Sequence, residues 1–225
     1  MDGQILPQAS LFIGIIPALL LLYISLKGYD DYYKDKYIYL SFIAGLIAGL
    51  ASILLEQATV QIGIIFIVLF PLLEQLFKTI LLNIKRLQEH TETTIYGLTL
   101  GLGFGSIFIP FSIITANIQT SETTSFILLI IGSMGIILMH GATGVIIGYG
   151  ISAAKLPKYL LFAILLHIPI PTTILITTIF QIQYLQFTIV FYGALLYYYT
   201  TVKIMPRIKT TTERRKRTKK SNATK

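Results

Sequence analysis

The apolar residues of this chain gather into long unbroken runs, and that feature restricts the fold more than any motif does. A helix rises about 1.5 Å per residue, so a run of about 18 or more apolar residues matches the roughly 30 Å hydrocarbon core of a bilayer. About seven segments of this kind stand out: Ser10–Leu26, Tyr37–Leu55, Val60–Asn83, Thr93–Ala116, Ser125–Ala153, Lys158–Phe180 and Phe187–Met205. They account for a composition that is 54% hydrophobic and only 12% charged, about half the charged share of a soluble domain. The runs are too long, and alternate too little, to be barrel strands. Helices satisfy their own backbone groups in lipid. The expected fold class is therefore all-α, a polytopic transmembrane helical bundle of about seven spans over residues 1–206, with a disordered tail over 207–225. The first run has no basic flank or small-residue cleavage site and reads as a retained helix. With no cysteine, disulfides and thiolate metal sites are excluded.

Basic residues set the orientation. Lys27, Lys34 and Lys36 lie between the first two segments, Lys85 and Arg86 follow the third, Lys155 and Lys158 separate the fifth and sixth, and every other basic residue except Lys78 lies at or beyond the end of the seventh, from Lys203 to Lys225. The alternate connections, 56–59, 117–124 and 181–186, carry none. Basic loops remain cytoplasmic, so the N-terminus is expected outside and the C-terminus inside a cell (plasma) membrane. Tyr29, Tyr32, Tyr33, Tyr37 and Tyr39, with Tyr197, Tyr198 and Tyr199, mark the same interface. The net charge of +8 resides in 207–225. The expected partner of Arg214-Arg215-Lys216-Arg217 is anionic lipid headgroups, with no role in nucleic-acid binding.

Small residues recur at i, i+4: Gly45 and Gly49, then Gly97, Gly101 and Gly105, then Gly144 and Gly148. Such grooves let helix backbones approach closely in lipid. The second, fourth and fifth segments are expected inside the bundle.

Four ionisable residues interrupt the spans: Glu74, Lys78, His140 and His167, with Gln75 beside Glu74. Such groups are costly in hydrocarbon and mark functional sites. Counted from the cytoplasmic ends, Glu74 and His167 lie roughly 13 Å deep and His140 roughly 20 Å. The three are expected to meet in the cytoplasmic half. Two imidazoles and one carboxylate form the donor set of a catalytic zinc, with a fourth position for water. Alternatively, each histidine is a hydrogen-bond partner between helices. Lys78, one turn after Glu74, is expected to pair with it directly. Glu56 and His90 read as interfacial or loop residues.

Several stretches resemble the PrsW family of intramembrane metalloproteases, relatives of the CAAX-processing and bacteriocin-immunity membrane proteases. Pro71-Leu72-Leu73-Glu74-Gln75-Leu76-Phe77-Lys78 resembles the family's E-E-x-x-K helix. Tyr96-Gly97 with Gly101-Leu102-Gly103-Phe104-Gly105 is similar to its next helix. His140-Gly141-Ala142-Thr143-Gly144 with Gly148-Tyr149, and Leu165-Leu166-His167, resemble its two histidine segments. The resemblance implies hydrolysis of membrane-anchored proteins, with Glu74, His140 and His167 as catalytic residues and zinc ligands. The second glutamate of the family pair is here Gln75, a later glutamate is Phe108, and an Asp/Asn four residues after the last histidine is Pro171. Glutamine cannot act as a general base, and neither Phe nor Pro can ligate a metal. The set is one group short: if Glu74 ligates, no base remains, and if Glu74 is the base, only two ligands remain. Two further readings stand beside the protease: a pseudoenzyme that binds membrane partners without cutting them, and a small transporter, for which no internal repeat is visible.

Overall fold

The structure, a computed structural model, describes residues 5–59, 65–85, 87–88, 92–115 and 123–210. Regular structure among them is helical throughout: α1 (Ile5–Leu26), α2 (Asp35–Thr59), α3 (Phe66–Leu82), α4 (Thr93–Ser106), α5 (Phe108–Thr115), α6 (Thr123–Ser152), α7 (Leu156–His167), α8 (Pro169–Phe180) and α9 (Gln186–Tyr199), the last running into a π turn at Thr200–Ile204. The expected all-α class holds. Four helical stretches are long and apolar enough to cross a membrane, Asp35–Gln57, Thr93–Ile114, Phe126–Ser152 and Leu156–Phe180, while Ser10–Leu26 is apolar but shorter. At the start of the basic tail, residues 207–210 are helical. The Arg207 guanidinium lies 5.5 Å from the centre of the Tyr149 ring, and Lys209 Nζ lies 4.5 Å from that of Tyr29. Residues 211–225 and His90 fall outside the described residues.

Helix α4 is the centre of the bundle, and every residue from Thr93 to Ser106 is buried. It is closed on one side by α6. A Cβ at Gly97 would collide with the carbonyl oxygen of Gly144, and one at Gly101 with that of His140. The two backbones touch because these side chains are missing, which in lipid is what allows dispersion contacts to build up. On the other side Gly45 and Gly49 of α2 press against Leu100 and Phe104. The expectation that three glycine-bearing helices lie inside is met by α4 and α6. Helix α2 is only half buried, and Ile43, Ile47, Leu50 and Leu54 form an exposed face.

The same contacts give the helix directions. Gly97 meets Gly144 and Gly105 meets Ile137, so α4 and α6 are antiparallel. Helix α2 runs with α4. Helix α9 runs with α6, since Gly135 meets Ile189 and Gly141 meets Tyr197. Gly150 packs on Tyr159, so α7 turns back along α6. The alternation gathers Lys34, Lys36, Lys85, Lys155, Lys158 and Lys203 at one end of the bundle, as the distribution of basic residues requires.

Two long stretches are broken. α4 passes into α5 at Ile107, and α7 into α8 at Ile168. Pro169 and Pro171 lack N–H groups, so the carbonyls of Leu165 and His167 lose their helical partners. Tyr192 Oη donates to the carbonyl of Leu166 at 2.6 Å beside the break. His167 thereby becomes the last residue of α7, with its backbone released from the following turn.

Replacing Gly101 with Ala should cost about 1–3 kcal/mol through overpacking against the His140 carbonyl. Reversible unfolding in mixed micelles reads this directly. Phe191→Ala, at a side chain 66% exposed on α9, should unfold close to wild type in the same assay.

Candidate active site

Three of the singled-out residues come together as expected. Helix α3 presents Glu74, Gln75 and Lys78 within one turn, α6 presents His140 and Thr143, and α7 ends on His167. All are buried, with Glu74 at 3%, Lys78 at 0%, His140 at 0% and His167 at 4% exposure. Glu74 Oε2 lies 3.2 Å from His167 Nε2 and 4.0 Å from His140 Nε2. Ser52 Oγ of α2 donates to Glu74 Oε1 at 3.1 Å. By distance alone the trio could hold a metal ion, since one ligand atom from each lies within 4.8 Å of the others.

The expected direct pairing of Lys78 with Glu74 is corrected. Lys78 Nζ instead contacts His140 Nδ1 at 2.7 Å, Thr143 Oγ1 at 3.0 Å and Gln75 Oε1 at 3.3 Å. Three acceptors match the three hydrogens of an ammonium, and each is a neutral group able to accept. The Phe104 ring centre, 4.9 Å from Nζ, presents its negative face to the same charge. Glu74 and Lys78 thus compensate each other through His140 rather than by contact.

The ammonium fixes the protons of both imidazoles. With Lys78 as an ammonium, His140 Nδ1 accepts from it, and a neutral ring then carries its hydrogen on Nε2. Gln75 is oriented by the same charge: its Oε1 takes Lys78, and its amide nitrogen therefore faces His167 Nδ1, at 2.7 Å. His167 Nδ1 accepts that N–H, and its own hydrogen also sits on Nε2. Both Nε2–H groups point toward Glu74 Oε2. The one from His167 lies 3.2 Å from it. The one from His140 is buried and has no hydrogen-bond partner, because 4.0 Å is beyond hydrogen-bond reach.

A cavity of about 30 Å³, large enough for a water, adjoins these groups and is lined by Glu74, His140, His167, Phe70, Phe108, Pro171 and Glu56 among others. Its lining lies at or beyond the cluster on the side away from the basic ends of the helices. On the basic side, Lys78, Gln75 and Thr143 close it. The cavity therefore faces away from the basic end of the bundle.

Sequence reasoning missed Glu56, which it placed at an interface. The available signal was its spacing: four residues after Ser52, on the same face of an apolar helix. Phe108 stacks on His140, ring centres 5.2 Å apart at 27°, and Pro171 lines the cavity, so both apolar residues sit at the site itself.

No protein-family model, curated protein or solved structure matches the chain.

Lys78→Met should destabilise the chain by more than a single lost hydrogen bond, which is about 1 kcal/mol. It strands three buried acceptors and leaves the Glu74 charge uncompensated. Thermal unfolding in detergent would show a lower midpoint, and Thr143→Val should lower it less.

Proposed function

We propose that the chain is an intramembrane peptidase resembling the PrsW family. In this reading about seven helices cross the plasma membrane, with the N-terminus outside and the basic tail on anionic lipid in the cytoplasm. Its substrates are membrane-anchored proteins. The observation that carries the reading is the unpartnered N–H of His140, aimed at Glu74 beside a water-sized cavity. A buried donor without an acceptor is costly, and an incoming carbonyl oxygen would supply the acceptor.

The chemistry follows from the proton positions. Glu74 Oε2 takes a proton from a water in the cavity as that water attacks the peptide carbonyl. The Nε2–H groups of His140 and His167 donate to the carbonyl oxygen as it becomes an oxyanion, where pre-oriented donors act most strongly. Lys78 and Gln75 keep those hydrogens on Nε2, and Ser52 holds the carboxylate.

Two histidines and a glutamate are also the donor set of a catalytic zinc. Metal-bound imidazoles, however, use their other ring nitrogen to donate to an acceptor. Here both Nδ1 atoms face nitrogens, Lys78 Nζ and the Gln75 amide, and with these as donors both Nε2 atoms carry hydrogen. Zinc would require Lys78 to give up a proton and Gln75 to turn over. The hydrogen-bond pattern does not fit the ion, and no step of the proposal passes through it.

The non-catalytic reading is favoured by Phe108 and Pro171, which stand at the site where the family pattern has polar groups. The two readings separate in proteoliposomes containing single-span peptides with a donor–quencher pair. Hydrolysis by the wild type should fall about 10²–10⁴-fold in Glu74→Gln and about 10²–10³-fold in His140→Ala. It should persist in the presence of a chelator, with no stoichiometric metal in the purified protein. Wild-type cleavage at the background rate would favour the non-catalytic reading. Zinc that disappears in a His140→Ala, His167→Ala double variant would overturn the metal-free chemistry.

A further inference from the structure

The cavity beside Glu74, of about 30 Å³, has room for a water but not for a peptide chain. The groups of the proposed chemistry are buried, so one wall must move before a substrate carbonyl can meet the His140 N–H. The walls come from α2, α3, α5, α6, α7 and α8. Between helices in lipid there is no water to expel, and cohesion comes from close backbone packing and interhelical hydrogen bonds. Five of the walls have one or both. Gly45 and Gly49 seat α2 on α4, and Gly97 and Gly101 seat α4 on α6. Lys78 ties α3 to His140 and Thr143 of α6. Gly14 of α1 lies against Pro110 of α5, and Gly150 of α6 receives Tyr159 of α7. Helix α8 has no glycine. Its four threonines, Thr172, Thr173, Thr177 and Thr178, each donate to the carbonyl four residues back along the chain. Beyond Ile170 and Pro171, none of its residues is buried.

Both ends of α8 suit a moving segment. At its foot Ile170 shares one apolar cluster with Ile136, Met139 and Ile189, which keeps the helix attached. Pro171 leaves the His167 carbonyl without a helical partner, so the axis can bend there. At the other end Gln181 takes a left-handed conformation, φ 55°. Between the two, Ile174 lines the cavity from α8, as Phe70 does from α3. We propose that α8 is a lateral gate: residues 172–180 swing away from α3 about the Ile168–Pro171 foot and admit a single-span substrate from the lipid to Glu74. This rests on the hydrolytic reading above. The gap opens between Phe70 and Ile174. Its outer rim is apolar, with Ile176, Ile179 and Phe180 exposed on α8, so the segment it receives is a membrane-embedded one.

The chain has no cysteine, so introduced pairs can be labelled cleanly in the full chain in lipid vesicles. Nitroxides at Leu54→Cys on α2 and Ile179→Cys on α8 should give two separations by electron–electron double resonance. The reference pair, Leu54→Cys with Phe187→Cys on α9, should give one. A further pair, Phe70→Cys with Ile174→Cys, is bridged by a short bis-methanethiosulfonate. The bridge should slow cleavage of the quenched single-span peptides about 10-fold or more against the same protein unbridged, because only the open fraction admits substrate. A reducing agent should restore the rate. A bridge between Tyr149→Cys and Tyr159→Cys, at the basic end, should leave the rate of that variant unchanged. A single separation from the α8 pair, a bridged Phe70–Ile174 pair that cleaves at its unbridged rate, or equal slowing by the two bridges overturns the proposal. Two separations beside a wild type that cleaves nothing sink the hydrolytic reading, and the passage of substrate with it, while the movement of α8 stands.

Discussion

The Lys78 ammonium organises this site, because a charge cannot stay inside an apolar bundle without partners. An unpaired ion in such surroundings costs several kcal/mol even after relaxation. The chain meets that cost with three neutral acceptors on two helices, His140 Nδ1, Thr143 Oγ1 and Gln75 Oε1. Each acceptance has a consequence. His140 and Gln75 are fixed in orientation, Gln75 fixes His167, and both imidazoles turn their N–H groups toward Glu74. One cation thereby sets the proton inventory of the whole cluster, and Glu74 balances it from the far side of His140.

The scaffold makes this arrangement rigid. His140 can stand beside Gly101 and Gly105 only because neither carries a side chain, and its carbonyl lies against Gly101. Phe104 and Phe108 hold its ring on two sides, at 4.8 Å and 5.2 Å between centres. His167 is placed differently: two prolines end α7 just after it. Close packing thus positions one histidine, and a helix break the other.

Much of the fold was legible in the sequence. The apolar runs marked the helices, and the spacing of lysines agrees with their alternating directions. Glu74, His140 and His167 were legible because ionisable groups are costly in hydrocarbon. The partners of Lys78 were not. Its i, i+4 spacing from Glu74 pointed to a direct pair, whereas the side chain reaches across to α6. Glu56 was also hidden, since only the pairing of α2 with α3 through Ser52 brings it to the cavity. The breaks at Ile107 and Ile168 divide runs that read as single spans. Depth counted along helices brought Glu74, His140 and His167 to a common level but did not say which end of the bundle their cavity faces, because that depends on where Lys78 and Thr143 close the space.

The central claim is that both site histidines are neutral and carry hydrogen on Nε2, held there by Lys78 and Gln75. Nitrogen-15 NMR of the chain in lipid reads this directly. With only three histidines in the sequence, a His90→Gln variant leaves just the two site signals. The account predicts a protonated Nε2 and an unprotonated Nδ1 for both rings. A hydrogen on Nδ1 of either ring, or a metal-bound Nε2 signal, would contradict it.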